Sequence, residues 1–113
     1  MDEAKLDDLQ ITPQAVKEKM EAKDKFLLLD VREKWEAKMA QIPGSMLVPM
    51  QEIPENLGVI EGAQEVIVYC HLGIRSLDVT VWLRQQGIEN SRSIAGGIDR
   101  WSREIDASIP RYD

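Results

Sequence analysis

The sequence predicts an α/β fold in which a central, mostly parallel sheet is flanked by helices on both faces. The apolar run at residues 66–69 lacks the polar alternation of a half-exposed strand and is typical of a strand buried on both faces, and residues 26–31 are predicted as a second buried strand. Helix signals alternate with these strands: Thr12-Pro13 comes before the first, residues 33–40 lie between the two, and residues 76–86 follow the second. Strands that alternate with helices favour parallel pairing, because each parallel connection has to cross one face of the sheet.

The composition predicts one globular domain with a core of its own. The chain has 113 residues, of which 43% are hydrophobic and 30% are charged, and both values are ordinary for a folded domain. Asp2, Glu3, Asp7 and Asp8 make the start of the chain acidic. We therefore predict a disordered acidic leader over residues 1–8 and a single domain over residues 9–113.

Charge and apolar patterning exclude several classes of partner. A formal net charge of −6 argues against nucleic acid and against an anionic membrane surface. No apolar stretch approaches the roughly 20 residues of a membrane span, and the acidic start lacks the apolar run of a secretory signal. The single cysteine cannot form an intrachain disulfide, which suits a reducing compartment. We expect a cytoplasmic protein.

The first half of the chain predicts two strands and two helices. Residues 9–11 form a short edge strand, and a helix follows with Thr12 as its N-cap and Pro13 at its first position, ending near residue 22. Residues 26–31 are the buried strand, and residues 33–40 form a second helix. Trp35 and Met39 lie four positions apart on one face of that helix, which predicts that both belong to the core.

The second half begins with a turn at residues 42–45 and a short strand at residues 46–48. A short helix or irregular segment at residues 50–57 and a loop at residues 58–64 lead to the strand at residues 66–69. The helix at residues 76–86 ends before Gly87, a plausible C-terminal cap. A last strand at residues 93–95 precedes Gly96 and Gly97, where the backbone can pass close to its neighbours, and a helix at residues 98–105 with Trp101 inside.

Cys70, the only cysteine, directly follows the second apolar strand, at the edge where open α/β sheets bind ligands. A loop containing Gly73 leads from Cys70 to a helix start at Arg75 and Ser76. Backbone N–H groups that point inward at a helix N-terminus form an anion-binding hollow, and their field favours a thiolate over a thiol. Arg75 adds a forked cation at the rim or just behind it. The pattern favours a nucleophilic cysteine over a buried structural one.

Five segments in the same order resemble the rhodanese-like domain family. The segment C-H-L-G-I-R-S at residues 70–76 resembles that family's active-site loop, in which a cysteine heads a six-residue loop closed by arginine. The other segments are L-L-L-D-V-R-E at residues 27–33 with Glu36 beyond, Q-I-P-G-S-M-L-V-P at 41–49, W-L-R-Q-Q-G-I at 82–88 and I-A-G-G-I-D-R-W at 94–101. The resemblance covers about residues 9–112 and implies a rhodanese-like sheet of about five strands.

The resemblance implies a sulfurtransferase of the thiosulfate type that needs no cofactor. Cys70 would take a sulfane sulfur from a small anionic donor, thiosulfate or a persulfide, and pass it from a covalent persulfide to cyanide, a small thiol or a protein thiol. The residues expected to bind the persulfide are those of the loop: His71, Leu72, Gly73, Ile74, Arg75 and Ser76. Asp30 and Arg32 are expected to support neighbouring loops through hydrogen bonds and a salt bridge.

Alternatives stay open at this point. Related phosphatases use C-x5-R, so the C-x4-R spacing from Cys70 to Arg75 favours sulfur chemistry over a phosphatase or an arsenate reductase. A non-catalytic or sulfur-relay binding module is a second alternative, which the intact Cys70 and Arg75 disfavour. His71, the only histidine, has either a modulating or recognition role, or it is a solvent-exposed bystander. One cysteine and one histidine cannot fill a tetrahedral metal site, so no metal is predicted.

Overall fold

The computed structural model describes residues 3–113, in which helices and strands alternate along the chain. The strands are β1 (Gln10–Ile11), β2 (Leu27–Asp30), β3 (Met46–Leu47), β4 (Val66–Tyr69) and β5 (Ser91–Ile94). The helices are α1 (Glu3–Leu9), α2 (Pro13–Glu21), α3 (Lys34–Met39), α4 (Leu57–Glu61), α5 (Ile74–Gln85) and α6 (Gly97–Glu104), with short 3₁₀ helices at Met50–Glu52 and Pro54–Asn56. Among the described helices, none is long and apolar enough to cross a membrane.

The strands form one five-stranded sheet in the order β1-β5-β4-β2-β3, and every described pair of neighbours is parallel. β4 lies at the centre, between β2 and β5. Because the strands are parallel, their carboxyl ends share one edge of the sheet, and Cys70 follows β4 at that edge. The predicted α/β fold with a mostly parallel sheet of about five strands is confirmed.

Helices cover both faces of this sheet, as the sequence predicts. β4 is buried along its whole length, and its side chains alternate between two core layers. Ile67 and Tyr69 pack in the layer that contains α2 and α6. Val66, Val68 and Cys70 pack in the layer that contains α4 and α5. The strand that leads to the cysteine is therefore the most enclosed part of the fold, which gives the loop after it a rigid base.

The cap predicted for the helix after β1 is confirmed. Thr12 is extended, with φ −74° and ψ 153°, and its hydroxyl oxygen accepts a hydrogen bond from the N–H of Ala15 at 3.2 Å. Pro13 takes the first helical position, where the missing N–H costs nothing. Gly87, at φ 92°, follows the end of α5 in the left-handed conformation expected of a residue just past a helix C-terminus.

Residues 3–8 are helical, so the prediction of a disordered leader is wrong for that part, while Met1 and Asp2 lie outside the described residues. Leu9, at the end of α1, is buried. Arg84 of α5 donates hydrogen bonds to the carboxylate of Asp8 and, at 2.8 Å, to its carbonyl oxygen. Asp8 is one of the acidic residues that suggested a solvated leader, yet it is bound to Arg84, which lies far along the chain.

Two further local predictions are wrong. Trp35 and Met39 are not core residues, since they are 57% and 51% exposed. The buried face of α3 carries Glu36 instead, which is 3% exposed and has charged and polar partners from other elements. The loop predicted at residues 58–64 is partly helical, because α4 occupies Leu57–Glu61 and buries Ile60 against the sheet.

At the carboxyl end of β2, Asp30 and Arg32 form an ion pair in which both residues are 0% exposed. The Arg32 guanidinium donates from Nε to Asp30 Oδ1 at 2.8 Å and from Nη2 to Oδ2 at 2.7 Å. Its other N–H groups reach the Ala40 carbonyl oxygen at 2.7 Å, the Glu36 carbonyl oxygen at 3.3 Å and the Tyr112 hydroxyl at 3.0 Å. All the donors of the guanidinium therefore have an acceptor, which offsets the cost of burying its charge.

Replacing Arg32 with Met is expected to lower the free energy of unfolding by about 3–5 kcal/mol, because the Asp30 carboxylate then stays buried without its cation. Urea unfolding followed by tryptophan fluorescence measures the change. The control is Arg100→Met, which removes a surface pair with Glu104 at 2.8 Å and should change the free energy of unfolding much less, because solvent screens exposed ion pairs. If both variants lose the same free energy of unfolding, the buried pair contributes no more to stability than a surface pair does.

Candidate active site

Cys70 lies in a hollow formed by the loop between β4 and α5. Its Sγ accepts hydrogen bonds from the backbone N–H of Gly73 at 3.2 Å and of Ser76 at 3.3 Å. The cysteine is 1% exposed, whereas Leu72 is 54% and Ile74 70% exposed. The loop thus turns N–H groups towards the sulfur and apolar side chains outward, an arrangement that stabilises a thiolate.

Two glycines shape the cysteine loop: one lies in the loop and allows a tight turn, and the other lets helix α6 pack closely against it. Gly73 has φ 96°, a left-handed conformation at the start of α5. Gly97, at the start of α6, lies so close to the loop that a Cβ there would be 2.4 Å from the His71 carbonyl oxygen. The next residue, Ile98, donates its N–H to the Cys70 carbonyl oxygen at 2.9 Å. The first turn of α6 therefore fixes the backbone at the cysteine.

A pair of buried serine hydroxyls lies behind the sulfur. Ser76 Oγ is 3.3 Å from Cys70 Sγ and 2.7 Å from Ser93 Oγ. Both serines are 0% exposed. No sequence motif points to Ser93, and the one signal for it is the presence of two polar residues, Ser91 and Ser93, in a strand that is buried.

Arg75, predicted as a cation at the rim or just behind the loop, has its guanidinium committed to a carboxylate. It donates from Nη1 and Nη2 to Glu36 of α3 at 2.7 and 2.8 Å. Burial by itself raises the pKa of Glu36, but hydrogen bonds from Arg75, from Tyr112 and from a backbone N–H lower that pKa to about 2. Arg75 therefore fastens α5 to α3, and Glu36 compensates its charge.

Tyr112, in the tail after α6, is a site residue that no sequence motif predicts. Its ring stacks on the His71 imidazole with centroids 4.0 Å apart and planes at 12°. Its hydroxyl donates to Glu36 Oε2 at 2.7 Å and accepts from Arg32 at 3.0 Å. His71 is consequently half-buried instead of a solvent-exposed bystander, and its Nε2 has no hydrogen-bond partner among the described residues. The only local sequence feature that could have pointed to Tyr112 is the presence of an aromatic residue in a tail rich in polar residues.

The predicted site residues fall into two groups in space. The loop residues from Cys70 to Ser76 surround the sulfur, and Asp30 and Arg32 lie at the end of the neighbouring strand β2, joined to the loop through Tyr112. Among the residues that the structure describes, no group of three or more His, Cys, Asp or Glu is placed to hold a metal ion.

The sequence profile described as "Rhodanese-like domain" matches residues 12–104. The chain belongs to the rhodanese-like domain family. It is 34% identical over 95 residues to the "Putative sulfurtransferase YtwF" of Bacillus subtilis, a match that covers 84% of this chain and 91% of that protein. It is also 34% identical over 93 residues to the "Rhodanese-like/PpiC domain-containing protein 12, chloroplastic" of Arabidopsis thaliana, where the match covers 79% of this chain but only 31% of the relative.

A solved structure agrees with the fold of this rhodanese-like domain. The rhodanese-like domain protein from Staphylococcus aureus has a TM-score of 0.78 and 29% sequence identity. The similarity covers 92% of this chain and 98% of that one. The resemblance inferred from the five sequence segments is therefore confirmed at the level of both family and fold.

The stability of this rhodanese-like domain is expected to depend on acid pH through Glu36. Its folded-state pKa, about 2, lies below its ordinary value of 4.5, so the carboxylate stabilises the fold above about pH 4.5 and that contribution is lost as the pH falls towards 2. The shift corresponds to roughly 3 kcal/mol. Glu36→Gln should lower the free energy of unfolding near neutral pH and flatten its decline in acid.

Urea unfolding at a series of pH values from about 6 to about 2.5 measures this dependence. The control is Glu104→Gln, a surface carboxylate bound to Arg100 and Gln14, whose replacement should leave the wild-type curve nearly unchanged. If wild type and Glu36→Gln give parallel curves, the Arg75–Glu36 clamp does not carry the acid dependence.

Proposed function

We propose that this rhodanese-like domain is a cytoplasmic sulfurtransferase that moves a sulfane sulfur from thiosulfate or a persulfide donor to cyanide or a thiol acceptor. A Cys70 persulfide is the intermediate. The observation that carries the proposal is the pair of backbone N–H donors on the buried Sγ, 3.2 and 3.3 Å away. The printed name of the Bacillus relative, a putative sulfurtransferase, supports the same class of reaction.

In the first half-reaction the Cys70 thiolate attacks the outer sulfur of thiosulfate. A new S–S bond forms, the S–S bond of thiosulfate breaks, and its electron pair leaves with sulfite. The negative charge then lies on the outer sulfur of the persulfide. N–H groups of the loop that do not contact Sγ, including those of Leu72 and Ile74, bind this sulfur in the manner of an oxyanion hole.

In the second half-reaction the acceptor attacks the outer sulfur. The persulfide bond breaks and its electron pair returns to Cys70 Sγ. The product is thiocyanate when cyanide attacks, or a new persulfide when a thiol attacks as its thiolate. Each half-reaction is complete before the next begins, so the kinetics are ping-pong. No cofactor takes part in either step of this cycle.

A sulfur-relay module is the second candidate, and the exposure of Leu72 and Ile74 favours it. These side chains flank the cysteine and are 54% and 70% exposed. Exposed apolar side chains around a reactive group suit contact with another protein better than contact with a small anion. In a relay module the persulfide forms as above but passes only to a protein thiol.

Cys70→Ser is expected to reduce sulfur transfer to the background rate while the fold remains intact, because an alcohol does not form the persulfide. Intact mass spectrometry after incubation with thiosulfate should show wild type gaining the mass of one sulfur atom and the variant gaining none. A thiocyanate assay with cyanide measures the second half-reaction, and hydrolysis of an aryl phosphate should be absent from both proteins.

Sulfur transfer by Cys70→Ser would overturn the proposed mechanism. Loading of wild type without transfer to cyanide, but with transfer to a protein thiol, would identify the relay module instead. Hydrolysis of the aryl phosphate by wild type would favour the phosphatase alternative over sulfur chemistry.

A further inference from the structure

A short chain of buried hydroxyl groups leads away from Cys70 into the core. Cys70 Sγ contacts Ser76 Oγ at 3.3 Å, and Ser76 Oγ contacts Ser93 Oγ at 2.7 Å. Ser93 lies on β5, directly opposite Val68 in the register with β4. Both serines are 0% exposed, so bulk solvent does not compete for their hydrogen bonds.

The direction of these hydrogen bonds follows from the number of hydrogens. Each hydroxyl has one hydrogen to donate, whereas a thiolate can only accept. When Cys70 is ionised, the Ser76 hydroxyl therefore donates to Sγ, and the bond between the two serines must be donated by Ser93. When Sγ is a thiol, its own hydrogen can be donated to Ser76 Oγ and the chain can run in the opposite direction. In a persulfide Sγ carries no hydrogen and its charge lies on the outer sulfur, so the Ser76 hydroxyl can turn away from Sγ and donate to Ser93.

We propose that Ser93 is a positioning residue that holds the Ser76 hydroxyl as a donor to the Cys70 thiolate. The role rests on the proposed sulfurtransferase function. It matters most in the second half-reaction, where the persulfide bond breaks and the electron pair arrives on Sγ. The two hydroxyl hydrogens rotate towards the sulfur at that moment, and no proton leaves the chain. A hydrogen bond to the leaving thiolate stabilises the negative charge that develops on Sγ and so lowers the barrier to that step.

Ser93→Ala tests the proposal, and Ser91→Ala is the matched control. Ser91 is also 0% exposed and lies two positions away on β5, but its hydroxyl donates to the Ile88 carbonyl oxygen at 2.8 Å. Ser93→Ala should slow the transfer of sulfur from preloaded enzyme to cyanide by about threefold to tenfold. It should also raise the pH midpoint of Cys70 alkylation by iodoacetamide by about 0.5 to 1 unit. Ser91→Ala should change neither.

A double-mutant cycle shows whether Ser93 acts through Ser76. If it does, Ser93→Ala has no further effect on either readout in the Ser76→Ala background. None of the variants replaces a charged or titratable group near the cysteine: Arg75 with its partner Glu36, His71, and Asp99 of α6, whose N–H donates to the His71 carbonyl oxygen. A change in either readout therefore belongs to the hydroxyl chain.

The outcomes separate this inference from the proposed function. Equal behaviour of Ser93→Ala and Ser91→Ala, or additive effects of Ser76→Ala and Ser93→Ala, would overturn the role of Ser93. Failure of the proposed function would appear as the absence of persulfide loading in wild type. In that case the alkylation midpoint alone still decides whether Ser93 supports the thiolate.

Discussion

The buried ion pair between Asp30 and Arg32 is the interaction on which the carboxyl edge of the sheet depends. A guanidinium enclosed at 0% exposure is tolerated only when each of its N–H groups has an acceptor. Two acceptors are carbonyl oxygens of α3 and its C-terminal cap, and another is the hydroxyl of Tyr112. Tyr112 in turn contacts Glu36 and His71, and Glu36 holds Arg75. One buried charge thus determines where α3, the tail and the cysteine loop meet.

The parallel register also brings the Tyr69 hydroxyl to the carboxyl edge of the sheet, where it forms a second set of hydrogen bonds. Asp30 pairs with Tyr69, the residue before Cys70, in the register between β2 and β4. The Tyr69 hydroxyl lies 3.2 Å from Asp30 Oδ2 and 2.8 Å from Ser45 Oγ, in the turn before β3. Burial, and next the charge of Asp30, raise the pKa of Tyr69 to about 12, so the phenol keeps its proton. The turn before β3 and the end of β4 are therefore joined through one hydroxyl group.

The parts of the fold that depend on neighbouring residues could be predicted from the sequence, and the parts that depend on distant partners could not. β4 and the loop at Cys70 follow from an uninterrupted apolar run and from the spacing of Gly73 and Arg75. The sequence predicts the wrong buried face for α3, because Glu36 is buried through its partners in α5 and the tail. The sequence does not predict helix α1 for the same reason, since the contact between Asp8 and Arg84 joins residues 76 positions apart.

The pairing of Arg75 with Glu36 also bears on which anion the loop suits. With that arginine compensated, the positive field at Cys70 comes mainly from backbone N–H groups and from the N-terminus of α5, equivalent to about half an elementary charge. A persulfide concentrates one negative charge on one sulfur atom, whereas a phosphate ester spreads about two over three oxygens. A small hollow of backbone donors, whose loop arginine is paired with Glu36, suits the charge of the first ligand and carries too little positive charge for the second. Charge balance therefore favours a bound persulfide over a bound phosphate ester, independently of the C-x4-R spacing.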